Sequence, residues 1–302
     1  MPTEVPVWSL DQLKRLRRED TRLCVTPSCR DRVLAELNIP GLDGLPAAGQ
    51  TLVVAGGGAL MDQWKVKQGP GGFELVCVPT IYGSGAEVSP IVVLNTPRGK
   101  QIEMDDRYMP HARVYWPELL ATVPVSQARD ACGDVWSHAL EAFMSPLAED
   151  GLRGEIAVLV SEMLDQPLQA DSAWFGFSAR ACTAQSRCSV GLIHGIAHSL
   201  EHLLNDSKQF GHAALCAILL WPVLRFNREH AEKWTELVSR FEVDESAIEG
   251  CARALFDPER FEPVRRLLGE HWKTILRDPC TRTNGVLVRR GHVDYFLNTS
   301  FA

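Results

Sequence analysis

Two rhythms of apolar positions divide the chain. Up to about residue 128, short β-prone runs alternate with helical stretches. Arg22–Val25, Thr51–Ala55, Glu74–Val78 and Ala112–Trp116 read as strands. Val88–Leu94 and Gln101–Met104 read as a hairpin turning through Thr96-Pro97-Arg98-Gly99. Ser28–Leu37 has helical periodicity and stops before the Pro40-Gly41 breaker. From Val125 the spacing is helical throughout. Ser126–Ser145, with Ser126 as N-cap and Pro146 as stop, is followed by Leu152–Leu164 and a stretch from Ser172 to Leu204 broken near Gly191. Gly211–Arg225 and Glu229–Phe241 complete the clear pattern. The expected architecture is an α/β N-terminal domain over 1–128 followed by an all-α domain over 129–302, with a ligand cleft between them.

Composition narrows the classes. The 302 residues are 45% hydrophobic and 23% charged, the balance of a soluble globular protein. A net charge of −7 argues against nucleic acid as a partner, because no basic stripe replaces phosphate counterions. The Lys14–Arg18 run is followed at once by Glu19 and Asp20 and reads as a solvated helix face. No signal peptide is visible, and no apolar run reaches the roughly 18 residues that cross a bilayer, so no membrane partner is expected. Nine cysteines in an odd, loosely spaced set fit a reducing cytoplasm. The pairs Cys24/Cys29 and Cys182/Cys188 are poor zinc signals and read as buried small hydrophobes.

Candidate chemistry lies in two places. Thr51–Ala55 runs straight into Gly56, Gly57 and Gly58, and the strand ending at Val78 runs into Thr80-Ile-Tyr-Gly-Ser84. Glycines after a strand let backbone N–H groups approach a pyrophosphate, and the following helix turns its positive end to the same charge. Three glycines alone equally fit a tight turn; two such loops favour a nucleotide site. In the helical half, Asp134 and His138 are four residues apart and share one helix face. His194 and His212 on later apolar helices could close a site for one divalent cation. Asp plus three His suits Fe(II) or Zn(II). The alternative is a set of hydrogen-bonded core histidines. His198, one turn beyond His194, reads either as a proton relay or as a packing residue. His202 reads as a rim or surface residue, Trp136 and Phe143 as core, and Arg153, Arg180, Arg187 and Lys208 as surface cations.

These blocks together resemble the iron-containing (group III) alcohol dehydrogenase family, within the dehydroquinate synthase-like group. Its GGGS-x-x-D-x-x-K loop is matched by Gly56-Gly57-Gly58-Ala59 through Asp62 and Lys65, and its PTT-x-GTGSE loop by Pro79 to Glu87. Its D-x-x-x-H-A-x-E helix is matched by Asp134–Glu141, its H-G-x-A-H by His194–His198, and its last ligand segment by His212 to Pro222. The blocks fall in the family's order over roughly residues 50 to 228. Ala59, Ile81, Ser84 and Ala86 replace hydroxyl residues or shift them. Only about 25 residues separate Val25 from Thr51, where the family has a further strand–helix unit.

The resemblance implies an α/β dinucleotide-binding domain, shortened, followed by an all-α metal-binding domain. It implies Asp134, His138, His194 and His212 as ligands of Fe(II) or Zn(II). It places NAD(H) or NADP(H) on Gly56, Gly57, Gly58, Asp62, Lys65, Thr80 and Ser84, and His198 stands beside this as the candidate catalytic residue. The implied activity is hydride transfer between the nicotinamide and a small aldehyde or primary alcohol. A basic pocket wall would suit an acidic semialdehyde, carboxylated or phosphonylated. A homo-oligomer, in the simplest case a dimer, is expected. Two other readings stand beside this one: a dehydroquinate synthase-like cyclase, and a retired homologue that keeps only its metal.

Overall fold

The computed structural model of the chain describes residues 4–96, 99–204 and 207–301; the expected turn at Pro97-Arg98 lies outside the described residues. These residues form two compact units. One contains the chain up to Thr96, Lys100–Pro124 and Ala170–Thr183; the other contains Val125–Gln169 and the chain from Ala184 on.

The first unit is built on β1 (Thr21–Val25), β2 (Thr51–Gly56), β3 (Glu74–Pro79), β4 (Ile91–Thr96), β5 (Gly99–Met104) and β6 (Ala112–Arg113). Strands β1-β2-β3-β6 pair in that order, all parallel, while β4 and β5 form a separate two-stranded sheet. Helices α1 (Leu10–Lys14), α2 (Arg30–Leu37) and α3 (Gly58–Gly71) cover the sheet. Register explains the sequence pattern. Leu23 faces Val53 and Val53 faces Val76, so alternate residues of each strand share a face. Leu23, Val53, Ala55, Val76 and Val78 pack with Leu13, Val33 and Leu37. Leu52, Val54, Leu75 and Cys77 pack with Met61, Trp64 and Phe73. Both faces are buried, which is why β2 and β3 read as unbroken apolar runs.

Prolines trim two expected strands. Pro90 cannot donate to a ladder, and β4 starts only at Ile91. The run Ala112–Trp116 is strand at Ala112–Arg113 alone, since Pro117 opens a 3-10 turn to Thr122.

The helical unit comprises α4 (Val125–Met144), α5 (Asp150–Leu164), the end of α6 (Ala173–Cys188), α7 (Leu192–Leu200), α8 (Ser207–Phe210), α9 (His212–His230), α10 (Glu232–Ser239), α11 (Glu245–Leu255), α12 (Pro258–Ile275), α13 (Pro279–Arg282) and α14 (Val293–Asn298). Helix α4 begins at Val125, so Ser126 sits in its first turn and is not the cap expected from the sequence. Its last carbonyls are served by cations. Arg153 donates to Phe143 and Ser145, and Lys233 Nζ to the Ser145 carbonyl at 2.7 Å. Arg153 is therefore buried at 9% exposure instead of lying on the surface. Arg180 and Arg187 are exposed, Trp136 and Phe143 are fully buried, and the Lys208 side chain lies outside the described residues. Helix α9 runs through Pro222 to His230, beyond the expected end at Arg225, and α10 starts at Glu232.

Helices α4 and α9 cross very closely because Gly133 has no side chain. A Cβ there would lie 2.5 Å from Ala217 Cβ and 2.6 Å from Ala217 Cα. Gly133→Ala is therefore expected to push the helices apart at a cost of about 1–3 kcal/mol, read as a lowered denaturation midpoint. Adding Ala217→Gly should recover only part of this, because the Cα clash remains. An unchanged midpoint in the single variant would show that the crossing has slack.

Candidate metal centre

Asp134 and His138 lie on adjacent turns of α4, with Asp134 Oδ1 3.4 Å from His138 Nδ1. Helix α7 brings His194 Nε2 to 3.1 Å from His138 Nε2 and 3.6 Å from Asp134 Oδ1. The first residue of α9, His212, places Nε2 3.9 Å from the same carboxylate oxygen. Asp134, His194 and His212 thus bring one atom each to a common point, while His138 sits beside it, its Nδ1 toward Asp134 and its Nε2 toward His194. Asp134, His138 and His194 are at most 5% exposed.

The local sequence explains how α7 aims His194. Its N-cap, Gly191, has no side chain to satisfy the first amides. Distant residues do so instead: Asn284 Oδ1 accepts from Leu192 N at 3.2 Å, and Glu141 Oε1 from Ile193 N at 2.5 Å. The other Glu141 oxygen lies 2.7 Å from His194 Nδ1. A carboxylate on Nδ1 fixes the ring with Nε2 facing Asp134, the second-sphere support typical of metal-binding histidines. Glu141 lies seven residues after Asp134, hence on the same face of α4; that spacing was the available sequence signal for its role. Glutamine offers one acceptor where two are needed, so Glu141→Gln is expected to weaken zinc binding by about 10–100-fold in a chelator competition. Unaltered affinity would reduce Glu141 to a helix cap.

His198 is buried, and its ring lies flat on that of His212, with centroids 5.3 Å apart and planes 10° apart. Its Nδ1 is 3.8 Å from both Asp278 Oδ2 and Cys280 Sγ. Gly195, between the two histidines of α7, permits this arrangement, since any Cβ would collide with Thr281 of α13. His202 is exposed. Cys216, absent from the sequence-based set, also enters the cluster. Asp134, His194, His212 and Cys216 each bring one donor atom to a group spanning no more than 4.8 Å.

The electrostatics suit a cation. Burial alone would raise the Asp134 carboxyl, but the imidazoles of His138, His212 and His194 reverse this and hold it below the usual carboxylate range. His138 is pushed down to about 4, first by burial and then by His194, so it is a neutral donor near pH 7. Burial opposes charge on His194, yet Cys216, Asp134 and Glu141 hold its pKa well above the ordinary imidazole value. Buried Asp134 Oδ1 and His138 Nδ1 have no hydrogen-bond partner, an expensive vacancy in a packed core that a cation would fill.

In the first unit, the glycine loops end adjacent strands β2 and β3, at the carboxyl edge where open parallel sheets take ligands. Gly56 closes β2, Gly57 is the N-cap of α3 without a side-chain cap, and Gly58 opens the helix. The second loop packs on the first: Thr80 N donates to Gly56 O at 3.1 Å, and a Cβ on Gly58 would collide with Ser84. Gly83 and Gly85 have φ of 120° and 55°, conformations favouring glycine. Thr80 is buried and Ser84 exposed. Asp62 and Lys65 are engaged within the fold. Lys65 Nζ donates to Asp62 Oδ1 at 3.1 Å and to the Ile91 carbonyl at 2.5 Å, while Asp62 Oδ2 accepts from Val93 N at 2.9 Å.

Comparison with known proteins gives the same direction. No family model matches the chain. It is 29% identical over 236 residues to a 1-propanol dehydrogenase of Salmonella typhimurium, covering 72% of this chain and 63% of that protein. It is 28% identical over 252 residues to maleylacetate reductase 2 of Cupriavidus pinatubonensis, covering 72% and 68%. The chain thus spans less than two thirds of the 1-propanol dehydrogenase. In fold it is similar to the iron-containing alcohol dehydrogenase of Thermococcus thioreducens, with a TM-score of 0.76 at 18% identity over 97% of each chain. It is likewise similar to the sulfoacetaldehyde reductase of Bifidobacterium kashiwanohense solved with NAD+, with a TM-score of 0.71 at 16% identity over 99% and 98%. Among the described residues, no helix is long and apolar enough to cross a membrane.

Proposed function

We propose, for a chain whose homologues and fold neighbours are iron-containing alcohol dehydrogenases and kindred reductases, a metal-dependent oxidoreductase. It moves hydride between NAD(H) or NADP(H) and a small aldehyde or primary alcohol. The observation that carries this reading is the buried, unpartnered Asp134 oxygen within 3.9 Å of three imidazoles. When bound, Fe(II) or Zn(II) supplies Lewis-acid polarisation of the carbonyl, and the nicotinamide supplies or accepts hydride.

The chain's residues divide the remaining work. Asp134, His138, His194 and His212 hold the cation, and Glu141 keeps His194 in the binding tautomer. His198 has its Nδ1 turned to Asp278 and Cys280, leaving Nε2 to exchange a proton with the substrate oxygen. The uncapped amides of Gly57 and Gly58, with the hydroxyls of Thr80 and Ser84, take the cofactor's phosphates and ribose. Asp62 and Lys65 brace α3 against β4 and so hold that loop in place. Similar proteins named for maleylacetate and sulfoacetaldehyde, both acidic compounds, support an acidic substrate, and the second name supports an aldehyde. Nine free thiols support a cytoplasmic setting, and a homodimer is the proposed assembly.

The test is metal analysis of the purified protein, fluorescence titration with NADH and NADPH, and a panel of short aldehydes. Saturable nicotinamide binding and net oxidation of the reduced form are expected. Metal without nicotinamide binding would point to the retired homologue. Cofactor bound and regenerated without net consumption would point to the cyclase.

A further inference from the structure

We propose that Cys216 enters the metal centre as a thiolate ligand, giving this chain a sulfur-containing donor set that favours Zn(II). The inference rests on the reading of Asp134, His138, His194 and His212 as a metal centre.

Cys216 follows His212 by one helical turn on α9, so both side chains leave the same face. Its Sγ lies 3.8 Å from His212 Nε2 and 4.0 Å from His194 Nε2, and the residue is fully buried. Two donors on one ion, with bonds of about 2.0–2.1 Å to nitrogen and 2.3 Å to sulfur, cannot be farther apart than roughly 4.4 Å. Both sulfur–nitrogen separations fall inside that limit. So do the 3.6 Å and 3.9 Å separations of Asp134 Oδ1 from His194 Nε2 and His212 Nε2, whereas His138 meets Asp134 through Nδ1 and His194 through Nε2.

Four other buried cysteines have ordinary surroundings, while Cys280 lies against His198 Nδ1. Cys29 and Cys77 lie in apolar clusters, and Cys132 and Cys188 donate to carbonyls one turn back, at Ala128 and Ala184. At Cys216 the sulfur is set instead against two imidazole nitrogens whose Nε2 atoms also face Asp134. A buried small hydrophobe has no need of such neighbours. Binding breaks the S–H bond, leaves its electron pair on sulfur for the metal–sulfur bond, and sends the proton to solvent with no change of oxidation state. Thiolate is the softest donor available to the site, and soft donors favour zinc over the harder first-row ions.

X-ray absorption on the zinc-loaded wild-type protein tests this without any variant. One sulfur scatterer at about 2.3 Å beside nitrogen and oxygen at about 2.0–2.1 Å is expected. The Co(II)-substituted protein should also show a thiolate-to-cobalt charge-transfer band in the near ultraviolet. That band should vanish in Cys216→Ser and persist in Cys280→Ser, with the visible cobalt bands retained in both. A shell of nitrogen and oxygen alone, or a band that survives Cys216→Ser, overturns the proposal and leaves the metal centre standing. Failure of the wild-type protein to take up stoichiometric zinc or cobalt removes both.

Discussion

Asp134→Ala is expected to yield a folded protein that no longer retains its cation and no longer turns over. Asp134 supplies the carboxylate facing His138, His194 and His212 at 3.4, 3.6 and 3.9 Å. Three neutral imidazoles without it would hold a divalent charge in a buried site with that compensation gone. Removing a group that merely orients a ligand costs about 10–100-fold in metal affinity, and removing a ligand should cost more than the top of that range. The fold should tolerate the change, because this oxygen has no hydrogen-bond partner to lose. Metal content by elemental analysis and a chelator competition read the effect directly. Wild-type occupancy in Asp134→Ala would place the cation elsewhere and dismantle the proposed centre.

The second large effect belongs to stability. Lys65→Met leaves Asp62 as a buried carboxylate without its cation, and breaking one side of such a pair costs about 3–5 kcal/mol. The strand-rich unit should therefore unfold at markedly lower denaturant, and nicotinamide binding should be lost with it. The sign of the pH dependence follows from Asp62. Burial raises its pKa despite the opposing pull of Lys65, so the folded state binds a proton more readily than the unfolded state. Such a group lowers stability as pH rises from the ordinary carboxylate range through its raised value. Without Lys65 the pKa rises further, so the defect should be largest near neutrality and shrink on acidification. Asp62→Asn combined with Lys65→Met should regain most of the loss, because no buried charge remains. A Lys65→Met protein equally stable at all pH values would show that Asp62 ionisation does not act on folding.

Much of this protein was legible from local pattern. Short unbroken apolar runs marked β2 and β3, helical spacing marked α4 and α5, and an i, i+4 interval set Asp134 and His138 on one face. Boundaries were less secure where proline intervened. Pro90 and Pro117 shortened strands, whereas Pro222 did not stop α9. Arg153 shows a different limit: its charge suggested solvent, yet the open carbonyls at the end of α4 gave it buried partners.

What the sequence determined alone was whatever depends on neighbours within one or two turns: element type, the shared faces of paired ligands, and glycines at strand ends. Tertiary structure decided the rest, because those properties need atoms distant in the chain to meet. Helices α4, α7 and α9 converge on one carboxylate oxygen, and Gly133 lets two of them cross closely enough to do so. Glu141 reaches across 52 residues to cap α7, and Lys65 finds a carbonyl 26 residues away. Cys216 shares a helix face with His212 by spacing alone, but only packing sets its sulfur beside His194.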